Sequence, residues 1–154
     1  MSHRIFIAQL LSCQLSQSLA DNLITEHQAQ PWASGQQHCQ PGDLLILLVS
    51  QYQQDCFEQW ERLARQHKLQ LLPVRLSANG WQLGPLSDQT ASACLCCASS
   101  WEQKNHPQKQ FWTDLNNATP AAADWPVAPL TEMLIASQLT MLLSAPAQAR
   151  NRVL

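Results

Sequence analysis

The run Asp43-Leu44-Leu45-Ile46-Leu47-Leu48-Val49 carries no polar side chain after its first residue. A strand with one face in water alternates apolar and polar residues. A strand-length run that does not alternate must be covered on both faces, as in the middle of a parallel sheet flanked by helices. The residues around it supply the other parts. Residues 4–11 read as a second buried strand, and Leu15, Leu19 and Leu23 recur at the spacing of a helix. Ser34-Gly35 and Pro41-Gly42 bracket a polar loop. Beyond the run, Asp55 and Glu58 stand at capping-box spacing before an amphipathic helix with Phe57, Trp60, Leu63, Ala64 and His67. Residues 69–76 form the next strand, and Pro73, which cannot donate to a ladder, predicts an edge or a bulge there. Asn79-Gly80 signals a tight hairpin turn into Trp81-Gln82-Leu83, which Gly84-Pro85 ends.

The order β-α-β-α-β, then a hairpin, then a helix predicts a small three-layer α/β fold, its first half like half of a doubly wound sheet. The 154 residues fit one domain. Residues 1–76 hold the alternating half and 77–97 the hairpin with a cysteine cluster. Residues 98–128 are rich in Pro, Asn, Gln and Trp and read as irregular with at most short helices, and 129–145 form a last helix. In that helix Pro129 is tolerated in the first turn and Glu132 suits the positive end of the dipole. Leu130, Met133, Leu134, Leu142 and Leu143 read as its apolar face, and Pro146 ends it.

In such a fold the turn after the first strand is where phosphate binds. Glycines there let backbone N–H groups approach an anion at a helix N-terminus. Here the turn is Leu11-Ser12-Cys13-Gln14-Leu15-Ser16, and the first glycine of the chain is Gly35. Binding of ATP or a dinucleotide in the standard manner is therefore not expected, and the crossover reads as structural. A net charge of -2 argues against an electrostatic grip on nucleic acid. No stretch is long and apolar enough to span a membrane, and the start has no signal-peptide pattern, so the expected location is cytoplasmic.

The six cysteines, in that compartment, should be reduced, metal-bound or redox-active. Cys94 and Cys97 form a C-x-x-C pair with Cys96 between them, enough for two thiolate ligands of a tetrahedral zinc. No second C-x-x-C follows, so the pair reads as half a zinc site, a site completed by distant residues or a partner chain, or a buried or redox pair. Redox chemistry ranks low because such pairs open helices, whereas this one is expected after a hairpin and a polar loop. Cys13, Cys39, His38, Cys56 and His106 are the reserve ligands, at no standard spacing. His67 reads as a helix-end histidine and Asp43 as a solvated strand terminus. No Ser-His-Asp or Cys-His arrangement is legible. Trp101, Trp112 and Trp125, interleaved with polar residues, suit either a docking surface or a lid over the core.

One ordered set of motifs goes further. Leu72-Pro73-Val74-Arg75-Leu76, then Gly80-Trp81-Gln82-Leu83-Gly84-Pro85-Leu86, then Ala93-Cys94-Leu95-Cys96-Cys97, with Asp43-Leu44-Leu45-Ile46 upstream and Trp125-Pro126 and the helix 129–144 downstream, resembles the ThiF-like (ubiquitin-activating-type) partner proteins of YcaO cyclodehydratases. The resemblance implies a degenerate ThiF-like domain and a non-catalytic accessory role in forming azoline or azole rings in a ribosomally made peptide, such as a bacteriocin. It implies a YcaO-type cyclodehydratase as partner, with a flavin dehydrogenase, the precursor peptide or a second copy of the chain as further partners. Zinc is the one cofactor it suggests, at Cys94 and Cys97. Trp81, Pro85, Trp101 and Trp125 are the expected partner contacts. The family's leader-binding winged-helix module and its second cysteine pair have no counterpart between Met1 and Leu154. The rival reading is a small zinc- or thiol-dependent enzyme acting through Cys94, Cys96 and Cys97.

Overall fold

The computed structural model describes residues 3–11, 13–50, 56–77, 80–88, 94–105, 108 and 129–144. The elements in chain order are β1 (Ile5–Gln9), α1 (Gln14–His27), β2 (Gln30–Pro31), α2 (Trp32–Gly35), a 3-10 turn (Gln36–His38), β3 (Leu44–Ser50), α3 (Phe57–His67), β4 (Gln70–Ser77), β5 (Gly80–Leu83), α4 (Leu95–Asn105) and α5 (Pro129–Ser144). The sheet runs β2-β1-β3-β4-β5. β1, β2, β3 and β4 are parallel, and β5 returns antiparallel along β4. The apolar run 43–49 thus lies in the middle strand, where its composition requires it to be.

The period of two in β3 and β4 sorts the core into two layers. Leu44, Ile46 and Leu48 with Leu72, Val74 and Leu76 face α1 and α5. Leu45, Leu47 and Val49 with Leu71 face the opposite side, against Trp32 of α2, Phe57 and Ala64 of α3 and Leu95 of α4. The α/β fold with helices on both faces of the sheet follows directly. Gly35 belongs to the second side. A Cβ there would lie 2.5 Å from the Phe6 ring, so glycine is what lets α2 close on β1.

Several local expectations change. α3 has Cys56 at its N-cap with no side-chain capping hydrogen bond, and Asp55, of the expected Asp55–Glu58 box, lies outside the described residues. Pro73 sits inside β4, between β3 and the return of the hairpin. Gly84 N–H donates to its carbonyl at 2.9 Å, Pro73 cannot reciprocate, and pairing resumes at the Leu71–Ser87 bridge. The break that proline predicts is therefore in the partner segment, at Gly84-Pro85.

The polar loop expected between Gly35 and Pro41 begins with a short helix and a 3-10 turn. A helix, α4, also occupies 95–105, where an irregular segment is expected from residue 98. Its centre is tied to the sheet by a buried bidentate pair, in which Arg75 Nη1 and Nη2 each donate to the Glu102 carboxylate at 2.9 Å. α5 buries Ile135 and Leu139, while Leu130, Met133 and Leu134 of the expected apolar face are exposed. Leu142 and Leu143 are partly buried against the core, so only that end of the expected face is used. None of the described helices is long and apolar enough to cross a membrane.

Candidate functional site

Open α/β sheets bind ligands at the carboxyl ends of their strands. Here that position is built differently at its two halves. The N-terminus of α1 is closed by the chain itself. Cys13 caps the helix, its Sγ accepting from Ser16 N–H at 3.4 Å, and the Cys13 N–H donates back to Ser16 Oγ at 3.4 Å. The Ser16 hydroxyl donates to the Leu11 carbonyl, and Gln9 Nε2 donates to that hydroxyl at 2.8 Å. Side chains thus take up N–H groups that would otherwise face an anion. Beside this cap lies a cavity of about 410 Å³ between α1 and the indoles of Trp32 and Trp60. Gln9 and Gln17 line it, and among the described residues no charged side chain does.

The cysteine cluster is placed otherwise than the sequence suggests. Cys94 immediately precedes α4 and Cys97 lies in its first turn, so the C-x-x-C pair opens a helix after all. The two sulfurs are joined as a disulfide, with Cα atoms 5.1 Å apart. Cys97 N–H donates to Cys94 Sγ at 3.0 Å, a capping bond for the helix. The next N–H, of Leu95, is taken by the buried carboxylate of Glu61 on α3. Cys96 turns the other way and packs against the α2–α3 side of the core. Burial, with the hydrogen-bonded Glu61 carboxylate second, pushes its thiol up from 9.0 to about 11. Cys96 is therefore a protonated thiol and a poor nucleophile at neutral pH.

Zinc finds no complete ligand set among the described residues, and His106 lies outside them. Among the described residues no three His, Cys, Asp or Glu side chains converge, and sulfurs bonded to each other have no thiolate to offer. The chain folds Cys39 and His67 together, with Sγ and Nδ1 3.4 Å apart and the imidazole edge-on to Trp32. The Cys39 thiol also reaches the Gln36 carbonyl at 3.1 Å. Asp43 is not a solvated terminus. It is buried, accepts from the Arg4 and Gln40 backbone N–H groups, and pairs with the Arg4 guanidinium at 3.0 Å. It joins β1 to β3 and has no reach into the cavity.

Of the four expected partner contacts, Trp101 on α4 is prominently exposed, at 66%. Trp81 is half-buried and donates from Nε1 to Gln138 Oε1 of α5 at 3.2 Å, and Pro85 is buried, so both are used inside the chain. Trp125 and Trp112 lie outside the described residues. α5 adds an exposed apolar stripe of Leu130, Met133, Leu134 and Met141. This stripe and Trp101 lie on opposite faces of the sheet, because α5 packs with α1 and α4 packs with α3.

No protein-family model matches the chain, and no curated protein sequence does. Solved structures do. The heterocyclase TruD superposes with a TM-score of 0.61 at 17% identity, over 97% of this chain and 23% of that one. A heterocyclase in complex with substrate and cofactor superposes with a TM-score of 0.59 at 14% identity, over 91% of this chain and 18% of that one. The chain spans less than a quarter of the length of these heterocyclases, and over nearly all of its own length it shares their α/β fold.

Proposed function

We propose that the chain is a non-catalytic accessory or scaffold element of a YcaO-type cyclodehydratase complex that forms azoline or azole rings in a ribosomally synthesised peptide. The observation that carries the reading is the agreement of nearly the whole chain with a portion of two heterocyclases. The ordered motifs from Leu72 to Cys97 supply an independent reason for the same assignment. The non-catalytic part rests on the capped N-terminus of α1 and on the lack of charge among the described residues lining the cavity beside it, and ATP activation of the peptide amide falls to the partner. In this reading the ThiF-like element works in the cytoplasm and meets the cyclodehydratase through the outer stripe of α5 and through Trp101. The precursor peptide and a flavin dehydrogenase are transient members of the complex.

The test is reconstitution with a YcaO-type enzyme and its precursor peptide. The chain should co-purify with the enzyme and raise the rate of water loss from the peptide. Met133→Asp together with Met141→Asp should weaken both effects while the chain stays folded. Cyclisation that is unchanged with and without the chain sinks the proposal.

A further inference from the structure

The accessory reading gives the cavity beside the α1 cap nothing to hold. β1, α1 and α2 each line it with one alanine, and the small side chains of Ala8, Ala20 and Ala33 leave about 410 Å³ in front of the aromatic wall. Ala8, Ala20 and Trp32 are buried and form the floor, while Gln9, Gln17 and Ile24 stand exposed at the rim. Trp32 and Trp60 meet edge to face, with ring centroids 6.5 Å apart and planes at 67°. They make a corner, in which a further ring can stack on one indole and turn its edge to the other. The two glutamines present acceptors. Gln9 Nε2 uses its hydrogens on Ser16 Oγ at 2.8 Å and on the Leu11 carbonyl at 3.4 Å, and Gln17 Nε2 donates to Asp21 Oδ1 at 3.0 Å. The amide nitrogen of each is turned to the chain's own acceptors, and Oε1 is what each has to offer a guest.

We propose that this cavity is a binding site for a neutral, flat aromatic molecule that carries an N–H donor, of which indole is the smallest example. The proposal is separate from the accessory role and does not depend on it. The size suits such a ligand, since small-molecule sites run from about 300 to 1,000 Å³ and are apolar with a few placed polar groups. The position suits it too, at the carboxyl end of β1, where open α/β sheets take ligands. Walls of indole, alanine and isoleucine favour apolar area, which selects the ring. The two carbonyl oxygens select the donor. An N–H held against Gln9 or Gln17 replaces the water that the glutamine gives up, whereas an oxygen in its place sets a lone pair against a carbonyl and leaves both unpaired. Charge is disfavoured. An ammonium or a carboxylate loses its hydration against walls where no described residue carries a counter-charge.

The experiment titrates the full, isotope-labelled chain with three probes and follows its assigned N–H signals by NMR. The probes are indole, its oxygen isostere benzofuran, and benzylammonium. Indole should shift the Nε1–H signals of Trp32 and Trp60 and the side-chain amides of Gln9 and Gln17 along a saturable curve, with those of Trp81 and Trp101 unmoved. Benzofuran should bind about fivefold more weakly, the worth of one net hydrogen bond, and benzylammonium more weakly than indole as well. Ala33→Phe, a substitution at the exposed rim, should abolish the indole shifts and leave the rest of the spectrum in place. Shifts that do not saturate, or that Trp81 and Trp101 share, would mean indiscriminate partition and overturn the proposal. So would benzofuran or benzylammonium binding as tightly as indole, or a folded Ala33→Phe chain that binds indole unchanged. The three probes on the wild-type chain decide the matter by themselves if that variant fails to fold.

Discussion

At the scale of residues, the pairs that organise the molecule join positions far apart in the chain. Arg75 and Glu102 are 27 residues apart, Cys39 and His67 are 28 apart, and Arg4 and Asp43 are 39 apart. The C-x-x-C pair was legible because four adjacent positions carry it. The other pairs were not, because only the crossovers of the sheet bring them together. Arg75 is fully buried, and removing one member of a buried ion pair leaves the other without its partner. Arg75→Met should therefore cost about 3–5 kcal/mol in urea denaturation, and Arg75→Met with Glu102→Leu should recover a large part of it. Cys96 makes a second prediction. Its thiol is raised in the fold from 9.0 to about 11, so the folded state holds the proton more tightly. The stability this lends is fully present below pH 9 and is lost as the pH rises through about 11. Stability measured across that window should fall in the wild type and fall less in Cys96→Ala.

At the scale of elements, the strands were legible and the helix ends and faces less so. β1, β3, β4 and β5 follow from apolar runs and one turn signal, and in β3 burial on both faces leaves no polar residue before Ser50 to misplace. α5 is apolar almost all round, so periodicity does not say which side meets the sheet. Burial of Ile135 and Leu139 settles it. Leu139→Ala should cost about 2–5 kcal/mol, whereas Met133→Ala should change stability by no more than about 0.5 kcal/mol, as thermal unfolding of the variants would record. The C-termini of α1 and α3 carried no glycine to mark them. Gln28 and Lys68 hold the left-handed conformation there, at φ 53° and 54°. A side chain in that region is strained, so Lys68→Gly should raise stability by about 1 kcal/mol. The start of α4 at Leu95 and its extent to Asn105 were not legible because polar residues at 98–105 resemble a loop with at most short helices, while one buried salt bridge and the contact with α3 hold the helix there.

At the scale of the whole molecule, the sequence order and the three layers agree, and the position of a nucleotide site is occupied by the chain's own side chains. The missing glycines could be read directly. The cap that takes their place could not, since Cys13 is an unusual N-cap and Gln9 reaches Ser16 only once β1 and α1 are packed. A ligand that binds the native state raises its melting temperature, so millimolar ATP should leave that of the isolated chain unchanged. Trp101 and the α5 stripe, on opposite faces, suit a scaffold that touches more than one neighbour. The measurement that bears most directly on this account is the initial rate of precursor-peptide dehydration by a YcaO-type enzyme, with ATP, as the chain is titrated in. The account predicts a saturable rise in rate that an α5 Met133→Asp, Met141→Asp chain fails to give. A flat titration, or peptide dehydration by the chain alone, would contradict it.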